Sequence, residues 1–321
     1  MIVVTGAAGF VGHNLVKLLN FKGYKNIVLI DSLSKENYFK NLIGLEYLDF
    51  LNFENGLDYL KKSMIQYQDI EVIFHIGANA DVLIEDCNIM MDMNFEHSKF
   101  WFELSKKQNI PFVYASSSAV YGNSNSFKIK LEDEVPHNEY AFSKLAFDNY
   151  VRGNIDSCEN KIVGYRFFNI FGLGEFHKGK NASLPHRFFE FVITKGFIDL
   201  FDKEISRDYV WVEDVCNILY NTWQLNINNG IYNLGSGNPI SHEKLANLVL
   251  ETMMEEKVID NDKEKHITKI PMPNNLIDKF QYLTCAENLL DWIAESTKNN
   301  ETKIKSYIKE LCRRYKNENK K

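Results

Sequence analysis

Short runs of β-branched and other apolar residues alternate with longer amphipathic segments through the first half of the chain. This alternation is typical of βαβ units and of a parallel sheet, whose strands are apolar throughout because helices cover both faces. After about residue 170 the pattern is less regular, although segments near 241–255 and 301–315 still predict helices. The predicted strands are 2–5, 27–30, 72–75, 112–115 and 162–165, and the predicted helices between them include 12–19, 94–107 and 140–152.

Composition narrows the range of functions. The chain has 37 Lys plus Arg and 43 Asp plus Glu, a formal charge of −6, and no basic block. Nucleic acid and anionic membranes are therefore poor candidates for partners. No apolar run approaches the roughly 20 residues that span a bilayer. Five scattered cysteines without a C-x-x-C pair are typical of reduced thiols, and the eight histidines show no metal-ligand spacing. We expect a cytoplasmic protein without a metal site.

A glycine-rich loop follows the first predicted strand and precedes the first predicted helix. Gly6, Gly9 and Gly12 form a G-x-x-G-x-x-G pattern. Glycines in this position allow a tight turn and bring backbone N–H groups close to a pyrophosphate at a helix N-terminus. A plain strand-to-helix turn is the alternative. The position at the start of a βαβ pattern favours a dinucleotide site.

Asp31 ends the second predicted strand, 22 residues after Gly9. At about this spacing an acid contacts the adenosine ribose of a dinucleotide, although a helix cap or a surface acid would look the same. Asp31 favours the free 2′-hydroxyl of NAD, whereas Lys35 and Lys40 are placed to neutralise the 2′-phosphate of NADP. The residues alone leave the choice between NAD and NADP open.

Tyr140 and Lys144 lie four residues apart at the start of a predicted helix, so both side chains project from one face. A cation one turn away favours the phenolate and brings the pKa of the phenol toward neutral pH. Ser117, at the end of a predicted strand, is placed to hydrogen-bond a reacting oxygen. Tyr-x-x-x-Lys is common by chance. Its combination with the glycine loop and the 23-residue interval from Ser117 favours catalysis.

Over nearly its whole length the chain resembles the extended short-chain dehydrogenase/reductase family, which modifies nucleotide sugars. The resemblance implies a homo-oligomer and an active-site serine at Ser117. Family members that dehydrate sugars carry an Asp-Glu pair where Ser118 and Ala119 stand, so a 4,6-dehydratase is disfavoured. The resemblance rests on Thr5 with the glycine loop and on residues 74–78, 114–122, 140–144, 166–172, 207–210 and 233–237.

Residues 175–183 resemble the His-Lys-Gly segment of ADP-glycero-manno-heptose 6-epimerases of lipopolysaccharide precursor synthesis. In that subfamily the lysine matching Lys178 is a second acid/base opposite the tyrosine matching Tyr140. The resemblance implies inversion at C6 of ADP-D-glycero-D-manno-heptose by transient oxidation with bound NADP. A solvated loop lysine or a phosphate clamp remains the alternative for Lys178. The chain departs from the subfamily at Tyr38, Phe53, Ile76, Lys180 and Phe280.

The resemblance carries over to individual residues. Tyr140, Lys178, Lys144 and Ser117 are the expected catalytic residues. The expected cofactor-binding residues are Gly6, Gly9, Phe10, Val11, Gly12, Asp31, Ser32, Ile76, Gly77, Ala78, Asn94, Tyr140, Lys144, Ile170 and Lys178. The expected substrate-binding residues are Ser117, Asn169, Lys180, Arg187, Phe201, Arg207 and Phe280, with Arg207 on the diphosphate.

These observations together predict an α/β fold, a Rossmann-type doubly wound parallel sheet with a smaller C-terminal α/β domain. We expect residues 1–170 to bind NAD(P), with a later part at about 207–237 returning to that domain, and residues 171–206 and 238–321 to bind substrate. Two other functions stay open. One is a different nucleotide-sugar epimerase or oxidoreductase, such as a 4-epimerase or a GDP- or UDP-heptose enzyme. The other is a non-catalytic redox sensor, which Ser117, Tyr140 and Lys144 disfavour.

Overall fold

The structure, a computed structural model, describes residues 1–34, 36–64, 69–81, 84–273 and 281–319. Within them no helix is both long and apolar enough to cross a membrane. The strands are β1 Ile2–Thr5, β2 Ile27–Asp31, β3 Asp49–Asn52, β4 Val72–His75, β5 Phe112–Ser117, β6 Ile162–Phe167, β7 Asn169–Phe171, β8 Ile198–Phe201, β9 Ser206–Arg207, β10 Tyr209–Trp211, β11 Gly230–Leu234, β12 Ile240–Ser241 and β13 Ile267–Ile270. The α-helices are α1 Phe10–Phe21, α2 Leu57–Met64, α3 Cys87–Met90, α4 His97–Gln108, α5 Glu139–Asn154, α6 Leu184–Lys195, α7 Val212–Gln224, α8 His242–Glu255, α9 Asp291–Ser296 and α10 Asn300–Glu318.

The predicted doubly wound sheet is confirmed. Seven strands pair in the order β3-β2-β1-β4-β5-β6-β11, and every pair is parallel. The first six strands follow the order typical of dinucleotide-binding sheets. In such a sheet the chain reverses its winding direction beside the first strand, and the carboxyl ends of β1 and β4 form a crevice there. The carboxyl ends of β1, β2, β4 and β5 therefore position the candidate residues of this sheet.

The strands form where the sequence is apolar on both faces. All four residues of β1 are buried, as are all four of β4, because helices cover both sides of a parallel sheet. Trp101 and Phe102 of α4 and Phe147 of α5 belong to the core that covers one face. The compact unit built around this sheet comprises Met1–Phe167 and Glu213–Leu234.

Helix α5 carries two of the expected catalytic residues and begins at a well-defined cap. The side chain of Asn138 accepts a hydrogen bond from the Ala141 amide at 2.8 Å. Glu139 in the first turn and Arg152 in the last complement the helix dipole. Tyr140 therefore lies in the first turn of α5, directly after the capped end of the helix.

The second compact unit comprises Phe168–Val212 and Gly235–Lys321. Its strands form three short pairs, of which β7–β10 and β8–β13 are parallel and β9–β12 is antiparallel. Helices α6, α8 and α10 supply most of its apolar core, which includes Phe188, Leu245, Val249, Ile304 and Ile308. Asp208 fixes a connection in this unit, since its carboxylate accepts hydrogen bonds from the amides of Ser236, Gly237 and Ala286.

Candidate active site

The glycine loop forms a cradle in which the backbone is packed too closely for side chains at Gly6 and Gly12. Gly6 has φ +67°, and a Cβ there would lie 2.6 Å from Cα of Gly77. A Cβ at Gly12 would lie only 1.9 Å from the carbonyl oxygen of Gly6, so the first turn of α1 packs directly on the loop backbone. Gly9 occupies the cap position of α1 and, as glycine, offers no side-chain acceptor to the helix amides. The geometry fits a dinucleotide pyrophosphate as the acceptor.

Asp31 holds the glycine loop in place. Its Oδ2 accepts a hydrogen bond from the Ala8 amide at 2.7 Å, and its Oδ1 accepts one from the Ser32 amide at 2.7 Å. Asn41 adds a hydrogen bond from its side-chain amide to the Ala8 carbonyl at 2.7 Å. The carboxylate of Asp31 therefore lies directly against the glycine loop. The Ser32 hydroxyl donates to Glu54, whose pKa it lowers, so a second negative charge lies beside Asp31.

We expect Asp31→Asn to weaken NAD binding about tenfold and NADP binding less, since it removes charge and one acceptor. The dinucleotide affinities are measured by calorimetric titration of the purified protein. Asp58→Asn is the matched control, because Asp58 is an exposed acid of α2 in the same unit. Equal affinities of wild type and Asp31→Asn for both dinucleotides would exclude Asp31 from the ribose site.

A buried histidine links the ends of β1 and β4. His75 Nδ1 lies 2.8 Å from the Thr5 hydroxyl, and its Nε2 lies 2.8 Å from the Ser98 hydroxyl. Thr5 accepts the Gly77 amide hydrogen at 3.0 Å, and Ser98 donates to the carbonyl of Asn94. Burial lowers the pKa of His75 well below its usual value, with Lys144 adding to the effect. His75 is therefore neutral and fixes the backbone at Gly77, a role that the sequence analysis missed.

Asn94 lies in a π-helical turn, Met91–Glu96, between α3 and α4. Its Oδ1 accepts the Asn79 amide hydrogen at 2.8 Å, and its Nδ2 donates to the Asn79 carbonyl and to the Ser143 hydroxyl. Ser143 precedes Lys144 in α5, so Asn94 ties the loop after β4 to the helix that carries Tyr140. In this arrangement the side chain positions neighbouring backbone, and the expected contact with a cofactor stays a prediction.

The structure brings Ser117 and Tyr140 together and places Lys144 one turn further along α5. Burial raises the pKa of Tyr140, and the hydrogen bond with Ser117 opposes that effect. Burial lowers the pKa of Lys144 to about 8, and the negative charge of Asp148 opposes it. Lys144 is thus mainly an ammonium at pH 7. Ser117 and Tyr140 can share a proton at the Tyr140 oxygen, and the expected catalytic role of Lys144 stays a prediction.

Asp148 is itself held in a buried ionic network that sequence reasoning did not identify. Its Oδ2 accepts from Arg166 Nε at 2.9 Å and from the Ser116 hydroxyl at 2.9 Å, and its Oδ1 accepts from the Tyr114 hydroxyl at 3.0 Å. Arg166 also donates to Glu134 at 2.6 Å. The network fixes α5 against β5 and β6, which carry Tyr114, Ser116 and Arg166.

In the second unit, Lys178 lies in a 3₁₀ segment, Phe176–Asn181, that turns at Gly179 with φ +50°. Its side chain is 26% exposed, and its Nζ lies 3.9 Å from Oε2 of the fully buried Glu175. Burial lowers the pKa of Lys178, and the charge of Glu175 opposes the shift. A lysine with a lowered pKa is a better base near neutral pH than an exposed one.

Other expected substrate residues also lie in the second unit. Arg207 donates to the carbonyls of Ser206 and Gln281, and Asn169 donates to Thr284 at 3.0 Å. Phe201 lines a cavity of about 630 Å³ whose wall also includes His242 and lysines 203, 244 and 269. The remaining predicted residues of this unit are Ile170 in β7, Lys180 in the segment after Lys178, and Arg187, whose guanidinium lies 5.1 Å from the ring centre of Phe191. Lys35 and Phe280 lie outside the described residues.

The remaining expected cofactor residues lie around the glycine loop. The Ile76 amide donates to the Thr5 carbonyl at 3.3 Å, which continues the β1–β4 pairing to the edge of the glycine loop, and Ala78 follows Gly77 there. Phe10 and Val11 form the first turn of α1.

Within the described ranges, no group of three or more His, Cys, Asp or Glu side chains is arranged to hold a metal ion.

Comparisons with known proteins point in one direction. The model of the NAD dependent epimerase/dehydratase family matches residues 2–235. An ADP-L-glycero-D-manno-heptose-6-epimerase of Cupriavidus pinatubonensis is 37% identical over 259 residues, which cover 78% of each chain. The crystal structure of ADP-L-glycero-D-manno-heptose-6-epimerase from Helicobacter pylori has a TM-score of 0.79 at 26% identity, covering 96% of this chain and 94% of that one. A UDP-N-acetylglucosamine 4-epimerase from Methanobrevibacter ruminantium shares the fold, with a TM-score of 0.80 at 21% identity and coverage of 99% and 98%.

Proposed function

Because the chain belongs to the NAD-dependent epimerase/dehydratase family, we propose that it is a nucleotide-sugar epimerase that inverts C6 of ADP-D-glycero-D-manno-heptose. The observation that carries the proposal is the lowered pKa of Lys178, a partly buried lysine that we assign as a second acid–base group besides Tyr140. The likeness to a heptose epimerase over 78% of the chain supports this substrate. The proposed product is ADP-L-glycero-D-manno-heptose.

Two acid–base groups suit an inversion better than one. A dinucleotide held at the glycine loop would supply the hydride chemistry, oxidation of C6 to a ketone and return of the hydride to the opposite face. The hydroxyl oxygen on C6 occupies a different place in each epimer, so one fixed side chain does not reach both. In the proposal Tyr140 exchanges a proton with the oxygen of one epimer, and Lys178 exchanges one with the oxygen of the other. Lys144 supplies positive charge beside Tyr140, and Ser117 hydrogen-bonds the Tyr140 oxygen.

The dinucleotide would bind at the cradle of Gly6, Gly9 and Gly12, where a Cβ at Gly6 or Gly12 would collide with backbone. The resemblance in sequence favours NADP. The carboxylates of Asp31 and Glu54 favour NAD, because a 2′-phosphate beside them would be repelled. Titration of wild type with each dinucleotide, as described for Asp31→Asn, decides between the two.

The nucleotide end of the substrate would bind in the second unit. Arg207 offers a guanidinium suited to a diphosphate, and burial lowers its pKa, so a phosphate partner would restore a favourable environment for the charge. The cavity of about 630 Å³ beside Phe201 has the size of a small-molecule site, and its wall carries three lysines and three acidic residues, Asp202, Glu204 and Glu243. We assign the adenosine diphosphate to these residues.

Proton NMR of the purified protein with ADP-D-glycero-D-manno-heptose tests the proposal directly. We expect conversion to the L-glycero epimer with the dinucleotide that copurifies or is added. No conversion in the presence of either NAD or NADP would contradict the proposed substrate. The same assay with UDP-glucose, UDP-N-acetylglucosamine and a GDP-heptose would then identify a different epimerase, and Tyr140→Phe without any effect on function would indicate a dinucleotide sensor.

A further inference from the structure

A chain of hydrogen-bonded polar groups leads from the neighbourhood of Lys178 to the surface of the second unit. The Tyr307 hydroxyl lies 3.0 Å from Oε1 of Glu175 and 2.8 Å from Nδ1 of His186. Nε2 of His186 lies 3.2 Å from Oε1 of Glu190. Glu175, Tyr307 and His186 are 0%, 1% and 3% exposed, whereas the Glu190 side chain is 46% exposed. The chain therefore connects a buried carboxylate to solvent through two buried groups.

The heavy-atom positions accommodate protons in two ways. In the first, Tyr307 donates to an ionised Glu175, and a doubly protonated His186 donates to both Tyr307 and Glu190. In the second, a protonated Glu175 donates to Tyr307, Tyr307 donates to Nδ1, and the Nε2 hydrogen of a neutral His186 points to Glu190. Both arrangements have the same net charge. They differ only in which heavy atom each proton is attached to, so protons can shift along the chain without rearrangement of the fold.

A two-base inversion creates a need for such a shift. The group that deprotonates one epimer ends the conversion with an additional proton, and the group that protonates the product ends it with one fewer. In one direction Lys178 gains the proton that Tyr140 loses, and in the other direction the transfer is reversed. Neither group can start a second conversion in the same direction until its proton has been exchanged with solvent.

Resting on the proposed function, we propose that Glu175, Tyr307, His186 and Glu190 form a proton relay that resets Lys178 between turnovers. In the second arrangement, where Nδ1 of His186 carries no proton, Glu175 passes its proton to the Tyr307 oxygen, and the Lys178 ammonium then gives one to Oε2 of Glu175. Tyr307 passes its own proton to Nδ1 of His186, and Nε2 releases one to Glu190. The net change is one proton moved from Nζ of Lys178 to Glu190 and then to water, and no bond between heavy atoms changes.

The surroundings of Lys178 support this direction of transfer. Burial lowers the pKa of Lys178, although the negative charge of Glu175 opposes the shift. The distance of 3.9 Å to Glu175 is an ion-pair distance, and a change of Lys178 rotamer or one intervening water closes it. The segment around it holds Glu175 in place, because its oxygens accept the amide hydrogens of Gly172 at 3.3 Å and of Ser183 at 2.5 Å and the hydroxyl hydrogen of Ser183 at 2.6 Å.

Tyr307→Phe tests the relay, because it removes one hydroxyl and keeps the ring in its aromatic cluster. Conversion is followed with enzyme in excess, which reports one turnover, and with substrate in excess at low buffer concentration, which reports the reset. We expect a first turnover within about twofold of wild type and a steady-state rate about tenfold or more lower. Imidazole buffer at high concentration should restore the steady-state rate, since a diffusible base then replaces the relay.

Tyr209→Phe is the matched control, because Tyr209 is equally buried and packs against the same Phe171 ring as Tyr307. Its hydroxyl has no hydrogen-bond partner among the described residues. We expect both of its rates to equal those of wild type. A Tyr307→Phe enzyme that matches wild type in low buffer, or that loses both rates without response to imidazole, would overturn the relay and leave the proposed function intact. Wild type without any conversion would overturn the proposed function and the relay with it.

A second readout needs neither sugar nor dinucleotide. In protein labelled with ¹⁵N at histidine, the ring nitrogens of His186 should change their chemical shifts in Tyr307→Phe, because the partner of Nδ1 is removed. Tyr209→Phe should leave them unchanged. Identical His186 spectra in wild type and Tyr307→Phe would show that no proton is shared between these two side chains, which would also overturn the relay.

Discussion

Tyr140→Phe is expected to lower kcat for interconversion of the two ADP-heptoses by about 10²- to 10⁴-fold, the usual contribution of a general acid–base group. The variant keeps the ring at the start of α5 and removes only the oxygen that carries the proton. Burial raises the pKa of Tyr140, and the hydrogen bond with Ser117 opposes that shift, so the phenol holds a proton that it can give to a substrate oxygen. Initial rates by proton NMR, with the bound dinucleotide quantified in each preparation, measure the effect.

The matched control is Tyr165→Phe in the same unit. Tyr165 is fully buried in β6, and its hydroxyl lies 2.6 Å from that of Thr222. Its removal should lower the free energy of unfolding by about 1 kcal/mol, as for a typical buried hydrogen bond, and leave kcat unchanged. If Tyr140→Phe kept about a tenth or more of the wild-type rate, Tyr140 would not be the acid–base group.

The sheet was predictable because its signal is local. Runs such as Ile2–Thr5 and Val72–His75 are apolar on both faces, and that property is typical of strands in a covered parallel sheet. The ends of strands were less predictable. β5 continues through Ser116 and Ser117, because these residues pair with Arg166 and Phe167 of β6, and such pairing depends on distant sequence. The predicted helix at 94–107 begins instead at His97, after a π-helical turn that a 3.6-residue period does not reveal.

Some residues of the candidate site could likewise be predicted from the sequence, and others could not. The glycine loop and the Tyr140–Lys144 pair are separated by fixed short spacings, so the sequence alone indicated them. The role of Glu175 was not predictable, because in a sequence a buried carboxylate looks like an exposed one until its partners are known. One of those partners, Tyr307, is 132 residues away along the chain. His75 and Asp148 were missed for the same reason, since their roles depend on Thr5 and Arg166.

Lys178→Met is expected to lower kcat about as strongly as Tyr140→Phe, by about 10²- to 10⁴-fold, since it removes the second acid–base group and keeps a side chain of similar length. The same NMR assay measures it. Lys195→Met is the matched control, because Lys195 lies in the last turn of α6 with a side chain 48% exposed and a surface ion pair to Asp199. Its loss should leave kcat unchanged and cost little stability.

Comparison of the two variants distinguishes whether Lys178 acts as a base or as a clamp on the substrate phosphates. Each keeps the group that serves one epimer, so each should still oxidise that epimer and fail with the other. Mixed with each pure ADP-heptose in turn, Tyr140→Phe and Lys178→Met should therefore show opposite preferences in the absorbance of the reduced nicotinamide. A clamp acts on the diphosphate, which is identical in both epimers, so loss of a clamp would raise KM for both alike. The same epimer preference in both variants, or a change in KM alone for Lys178→Met, would contradict the two-base assignment.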